Sequence, residues 1–409
     1  MTASQLEKID SVIEYLFYAL IVFIFMSKGE SIRNILIFGS SFLWIISIRY
    51  RKDLYLLKNN IFFLCLIYFG ITVLLVIFSI DRLYSFKQIF EEPLKFILLV
   101  PVISTVMADE RRLKRSLYVI CAASILLLVA GYYSYLFENV YRLTPDTTLY
   151  RLHYNRFSRY LNTLLPFTYA LYFVIEKKNK YRYLIAVLFF LAIVAQLLTT
   201  SRTGIGVFVI IFLVWSFYIA KLRDYDFKKI VVLVASLFLI VGILSYNFSG
   251  EVKKRTREIT EDFNTFNLRT RAWLPAIAAI RNRPVTGWGY GARTFFMKEP
   301  YSNTEYDEVP PIKEHNTILY VLFHQGIVGL IPYLLLMVVT MYSFWRKAFE
   351  YKGDIRGYIL VACFTVFIGN YVLHGLMENM PDKLYHMAIV IGLGLASIGV
   401  GKKHEMVND

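Results

Sequence analysis

The sequence predicts an all-α protein that crosses a membrane about twelve times, with one large polar loop late in the chain. Three observations predict this. First, apolar stretches of spanning length recur from end to end of the 409 residues, 57% of which are hydrophobic and only 18% charged. A soluble chain carries about a quarter charged residues, whereas a membrane helix needs roughly 20 apolar residues to cross the bilayer core. Second, the stretches are continuously apolar rather than alternating with period two, which excludes a membrane β-barrel and leaves helices as the only spanning structure. Third, Lys and Arg crowd into alternate short loops, as the positive-inside rule requires of a multi-pass protein.

The expected spans lie near 11–27, 31–49, 61–79, 92–108, 116–136, 161–175, 183–199, 205–220, 230–246, 327–345, 357–373 and 386–400. The net charge of +15 does not point to nucleic acid, because most of it sits between spans. The basic loops around Arg51, Arg111, Lys177, Lys221 and Arg346, with Lys402 and Lys403 in the tail, are expected in the cytoplasm together with both termini. The opening MTASQLEKID lacks the basic start and cleavage site of a signal peptide, so the first span is expected to remain. Cys65, Cys121 and Cys363 all fall inside spans and read as packing residues. With no repeat in view, 1–409 reads as a single integral membrane domain, with a large exterior loop at 247–326 that contains helices.

The chemistry-bearing residues collect on the exterior face. Asp224 and Asp226 form a D-x-D on the other side, in a loop too short for a nucleotide-sugar site, and read as a solvated charge run. Arg202, in the turn Thr199–Gly204 between two apolar spans, reads either as an arginine snorkelling to headgroups or as one fixed to bind a phosphate. Residues 268–283 read as an amphipathic helix closed by Pro284, with Arg269 on the face of Trp273, Ile277 and Ile280, and Arg271 pointing away. An arginine on the inward face needs an anion, either a carboxylate or a ligand phosphate. The glycines of Gly287-Trp288-Gly289-Tyr290-Gly291 allow tight turns, and the two aromatics offer flat faces of the kind that stack on sugars. His315 is the best general-base candidate among the six histidines, and Asn316 is expected to cap the helix that follows. His324, in a more apolar stretch, reads as structural. The rim of Arg142, Arg151, His153, Arg156 and Arg159 suits an anionic headgroup or a phosphorylated sugar, or simply contacts lipid. His374, Glu378 and Asp382 carry no assignable role, the acidic strip 299–314 reads only as solvation or acceptor contact, and no cluster has metal-ligand spacing.

Three of these motifs, in this order and on one face, resemble the O-antigen ligase family, whose relatives include the O-antigen polymerases. They are the Ser201-Arg202-Thr203-Gly204 turn, the run from Arg269 through Trp273 and Pro284 to Gly287-x-Gly289-x-Gly291, and His315-Asn316 followed by Gly326 and Gly329. The resemblance implies a metal-independent inverting glycosyltransferase of the GT-C type, without a cofactor, in the bacterial inner membrane. It implies undecaprenyl diphosphate as the glycan carrier and lipid A–core as the acceptor. It makes Arg202 and Arg269 the diphosphate ligands and His315 the residue that activates the acceptor hydroxyl, with Asn316, Arg156, Arg159, Trp273, Trp288 and Tyr290 as supporting residues. An O-antigen polymerase or an O-linked protein oligosaccharyltransferase of the same superfamily is the enzymatic alternative. A transporter is the non-enzymatic one, and it expects internal repeats and deep ionisable residues that this sequence does not display.

Overall fold

The computed structural model describes residues 2–408 except 27–28, 139, 141, 148–149, 177, 230, 233–234, 237–238, 240–241, 244–263, 309–312, 314 and 378–383. Thirteen α-helices are found among the described residues. They are α1 (Ala3–Phe23), α2 (Glu30–Ser47), α3 (Asn60–Leu75), α4 (Arg82–Glu91), α5 (Pro93–Val106), α6 (Glu110–Phe137) and α7 (Tyr154–Val174). After these come α8 (Tyr181–Leu198), α9 (Arg202–Arg223), α10 (Asn264–Asn282), α11 (Thr317–Glu350), α12 (Ile355–Val366) and α13 (Leu384–Asn408). The described residues form no strand, only an isolated bridge between Asp146 and Arg151.

Helices occupy every expected span except 230–246, most of which lies outside the described residues. Among the described residues, seven helical segments are long and apolar enough to cross a membrane, Asn60–Phe78, Arg202–Arg223 and Thr317–Glu350 being three of them. Four helices, α1, α6, α7 and α11, start well outside their apolar windows. α7 begins at Tyr154 and α11 at Thr317, because a hydropathy window marks where lipid is met and not where the backbone begins to coil. These overhangs carry Arg156, Arg159 and the Asn316 cap.

Helices in lipid gain no hydrophobic free energy by touching one another, so packing and polar contacts between them decide the arrangement. Trp44 Nε1 on α2 donates to Thr105 Oγ1 on α5 at 2.8 Å, and Ser124 on α6 meets Thr168 on α7 at 3.1 Å. Gln196 on α8 donates to Ser158 on α7 at 2.6 Å. Such bonds contribute about 0.6–2 kcal/mol each. Some buried hydroxyls return to the carbonyl one turn back, as Thr72 does to Tyr68 at 2.7 Å and Ser397 to Leu393 at 2.9 Å, so these donors are not wasted on hydrocarbon.

The polar residues separate to two ends of the bundle. At one end Glu14, 3% exposed, receives Arg112 Nε at 3.1 Å, Arg115 Nη1 at 3.2 Å and the Tyr18 hydroxyl at 2.7 Å, while Asp10 pairs with Arg51. Part of the basic charge that marks these loops is thus already neutralised by α1. Elsewhere the loop 283–301 rests on α4 and α11, and α7, α9 and the start of α11 are tied together through residues 367–376; these elements carry the candidate residues.

Candidate functional site

The segment from Pro284 to Gly291 is held by backbone on two sides. Ile327 N donates to Pro284 O at 2.9 Å, Val328 N to Val285 O at 3.2 Å, Trp288 N to Phe323 O at 2.8 Å and Gly289 N to His324 O at 3.1 Å. This pairing crosses a break in α11, where Gly326 stands at φ +61° and interrupts the helix. A Cβ on Gly326 would overlap the Val285 carbonyl and sit 2.6 Å from Thr286 N. On its other side the segment rests on the end of α3 and on α4. Ile80 N donates to Trp288 O at 3.1 Å, Arg283 Nη1 to Phe78 O at 3.3 Å and Arg293 N to the Tyr84 hydroxyl at 3.1 Å. The glycine at 289 touches Ser79, and a Cβ at 291 would come within 2.7 Å of both Tyr84 and Gln88. The glycines of the two motifs therefore serve one purpose, close approach of backbone.

The aromatics of this loop turn inward. Trp288 is 6% exposed, its indole N–H donates to Ala279 O at 2.8 Å, and the Arg283 guanidinium lies 4.4 Å from its ring centre. Tyr290 is 4% exposed. Here the rings pack the loop and present no open face to a sugar. Trp288, Phe295, Tyr301 and Phe323 form a small core of their own with Ala276 and Ala279 of α10. His324 is buried beside it, against Phe323: its Nδ1 lies 2.8 Å from the Gly289 carbonyl, which can only accept, and 3.0 Å from Thr294 Oγ1. The structural reading of His324 agrees with this geometry.

The buried stripe of α10 is Ala272, Pro275, Ala276 and Ala279, while Trp273, Ile277 and Ile280 lie half-buried beside it. Helical register at 100° per residue places position 269 in line with Ala276 and position 271 far round the helix. Arg271 is exposed. The side chain of Arg269 lies outside the described residues, as do Glu378, Asp382 and residues 247–263 of the loop.

His315 and Asn316 stand where the loop re-enters the bundle. Asn316 caps α11, its Oδ1 accepting from Ile318 N at 2.9 Å and Leu319 N at 3.1 Å. Its Nδ2 donates to Leu376 O at 3.2 Å, which ties the helix start to the short turn His374–Leu376. That turn also packs against α9 and is buried at His374. His315 itself is exposed and has φ +45°.

The Arg202 turn is built on α7. Ser201 caps α9, its Oγ accepting from Gly204 N at 3.3 Å and donating to Asn155 Oδ1 at 2.9 Å. Asn162 Nδ2 donates to Gly204 O at 3.0 Å, and a Cβ on Gly204 would overlap Ser158. Thr200 takes φ +55°, a region that β-branched residues avoid. The result holds Arg202 exposed in the first turn of α9, beside the first turn of α7 with exposed Arg156. Arg159, one turn further along α7, is half-buried, and its carbonyl accepts from Asn370 at 3.3 Å; Asn370 also donates to Thr163 at 2.7 Å. Asn370 belongs to a π-helical segment, Phe367–Leu373, that leads directly into the His374 turn.

The rest of the basic rim is engaged locally. Arg142 stacks on Tyr154 at 4.3 Å, His153 lies against the same ring at 4.1 Å, and Arg151 pairs with Asp146 at 3.2 Å. Burial pushes the Tyr150 phenol in this loop upward. Sequence reasoning missed Asn155, Asn162, Asn370 and Lys95. Lys95 is 5% exposed on α5, with its ammonium 5.9 Å from the Tyr385 ring centre. Their common signal is a polar or charged residue inside or beside an apolar run, which in membrane helices marks a bundle-facing position.

Residues 187–334 match the family model described as O-antigen ligase, an interval that runs from α8 through the Arg202 turn and the glycine loop to the first half of α11. No curated protein matches the chain.

Proposed function

We propose, from the match of residues 187–334 to the O-antigen ligase family, that the chain is a glycosyltransferase acting on a lipid-linked glycan. In this reading it moves the glycan from undecaprenyl diphosphate to a sugar hydroxyl of lipid A–core. The end that carries Arg202 and His315 faces the periplasm, the basic loops and both termini face the cytoplasm, and the bundle, of GT-C type, sits in the bacterial inner membrane.

The observation that carries the reading is the placement of arginines at the wrong ends of helices. Arg202 and Arg156 occupy the first turns of α9 and α7, where the helix dipole is positive and a cation costs about 0.3–1 kcal/mol. An anion at this end relieves both, and unpaired helix N–H groups add donors to it. A diphosphate is such an anion, and the arginine fork matches its oxygens.

The chemistry follows from these positions. His315 takes the proton of the acceptor hydroxyl as its oxygen attacks the anomeric carbon. The bond from that carbon to the diphosphate breaks, and the configuration inverts. Arg202 and Arg269 stabilise the charge gathering on the departing diphosphate, with no metal required. Asn316 fixes the backbone that carries His315, and Arg156 and Arg159 add to the positive field. His315 itself and Thr200, two residues before Arg202, both hold left-handed backbone, a form of strain that costs about 1–3 kcal/mol and clusters at functional sites.

The deciding experiment supplies purified protein with an undecaprenyl-diphosphate-linked glycan and lipid A–core. Glycan on the core supports the ligase reading. Glycan lengthened on the donor lipid would identify a polymerase instead, and glycan on neither would sink both.

A further inference from the structure

Helix α4 has two unlike sides. Tyr84, Ser85, Gln88 and Ile89 form one, with Ser85 and Ile89 buried and Tyr84 and Gln88 against Gly291. On the other, Leu83, Phe86 and Phe90 are 67%, 50% and 49% exposed. They follow the i, i+3, i+7 spacing and so form one seam, with the Phe86 and Phe90 rings edge to face at 5.3 Å. Exposed Arg82 and Lys87 border the seam on its two flanks.

What covers this seam can be argued from its surroundings. It continues from Leu74, Ile77 and Phe78, which are 61%, 59% and 54% exposed at the end of the candidate span Asn60–Phe78. Those residues face lipid if the span crosses the bilayer, and the chain turns only at Asp81, the cap of α4. At ten residues α4 is too short to cross. A short helix with an apolar seam between cations lies in the plane of the interface, its apolar side sunk about 5–10 Å into the headgroup–acyl boundary. Arg82 and Lys87 then reach lipid phosphates.

We propose that α4 is embedded in the phospholipid interface through Leu83, Phe86 and Phe90, and that it is the platform on which the glycine loop is mounted. The loop is thereby fixed at the depth of the lipid headgroups. This inference stands apart from the transferase reading, since it concerns the bilayer and not the substrate.

The test uses the full chain in vesicles of phosphatidylethanolamine and phosphatidylglycerol. Single cysteines at positions 83, 86 and 90 carry a spin label, and collisions with oxygen and with a water-soluble nickel chelate are compared. Phe63, 63% exposed on α3, and exposed Lys298 give the lipid and water references. The three native cysteines are buried, and the unaltered chain provides the blank. The expected result is oxygen exceeding chelate at all three positions, as at 63. A profile like that of 298 overturns the proposal. Exclusion of both reagents also overturns it, in favour of a second copy of the chain covering the seam.

Discussion

Gly326 and Val285 meet backbone to backbone: the break in α11 at Gly326 opens the space that the Val285 carbonyl fills, and Val285 O accepts from Val328 N at 3.2 Å. One contact thus joins the glycine loop to the helix that begins beside His315.

Gly326→Ala should undock the loop. The new Cβ overlaps the Val285 carbonyl, and φ +61° disfavours any side chain; together these should cost about 2 kcal/mol or more. Limited proteolysis between residues 283 and 316 should become several-fold faster. Gly39→Ala, where nothing lies within 4 Å, is the control and should leave proteolysis unchanged. Equal resistance in both variants would show that the contact is not needed.

Asn316 does two things that substitutions can separate. Asn316→Ala loses the cap, about 1 kcal/mol, and also the bond to Leu376 O. Asn316→Asp keeps an oxygen for Ile318 and Leu319 but has no donor for Leu376. If the tie to the His374 turn matters for activity, Asp should impair transfer nearly as much as Ala while melting closer to the parent protein. Full activity in the Asp variant would confine the residue to capping.

Arg202→Ala should abolish glycan transfer yet leave thermal stability equal or slightly higher, because it removes a cation from a helix start. Arg202→Lys keeps the charge without the two-pronged fork and should recover only a small part of the rate. A large loss of stability in the Ala variant, with activity lost in proportion, would mark a structural arginine.

His315→Ala should eliminate transfer with the protein still present in the membrane in normal amount. In the parent protein, chelators of divalent ions should leave the rate unchanged. Retained activity in the variant would remove His315 from the mechanism, and strict dependence on a metal would overturn the proposed charge stabilisation.

The spans were legible because the bilayer imposes them: a long apolar run has few other uses. The Arg202 turn and His315-Asn316 were legible as motifs, and the Asn316 cap follows from residue type. What the sequence hid is long-range. Nothing near Gly289 announces Ser79, and nothing near Asn316 announces Leu376, since each partner lies far along the chain. Trp288 and Tyr290 offered sugar-stacking faces on composition, but whether a ring turns in or out depends on its neighbours, here Ala279 and Arg283. The overhang of α7 was missed for another reason. Its first turn, Tyr154-Asn155-Arg156, is polar, and a window tuned to lipid passes over it.

The bonds from Arg283 to Phe78 and from Arg293 to Tyr84 join residues 205 and 209 positions apart. During synthesis the shelf formed by 78–91 emerges early, and the segment that rests on it arrives only after helices α5 to α10 have been made. Contacts so distant in sequence form late, so this end is assembled only once the chain beyond residue 283 has emerged. Until then Tyr84, Ser79 and Ser85 stand uncovered, and a chain arrested before residue 283 should be recognisable to proteases at that shelf.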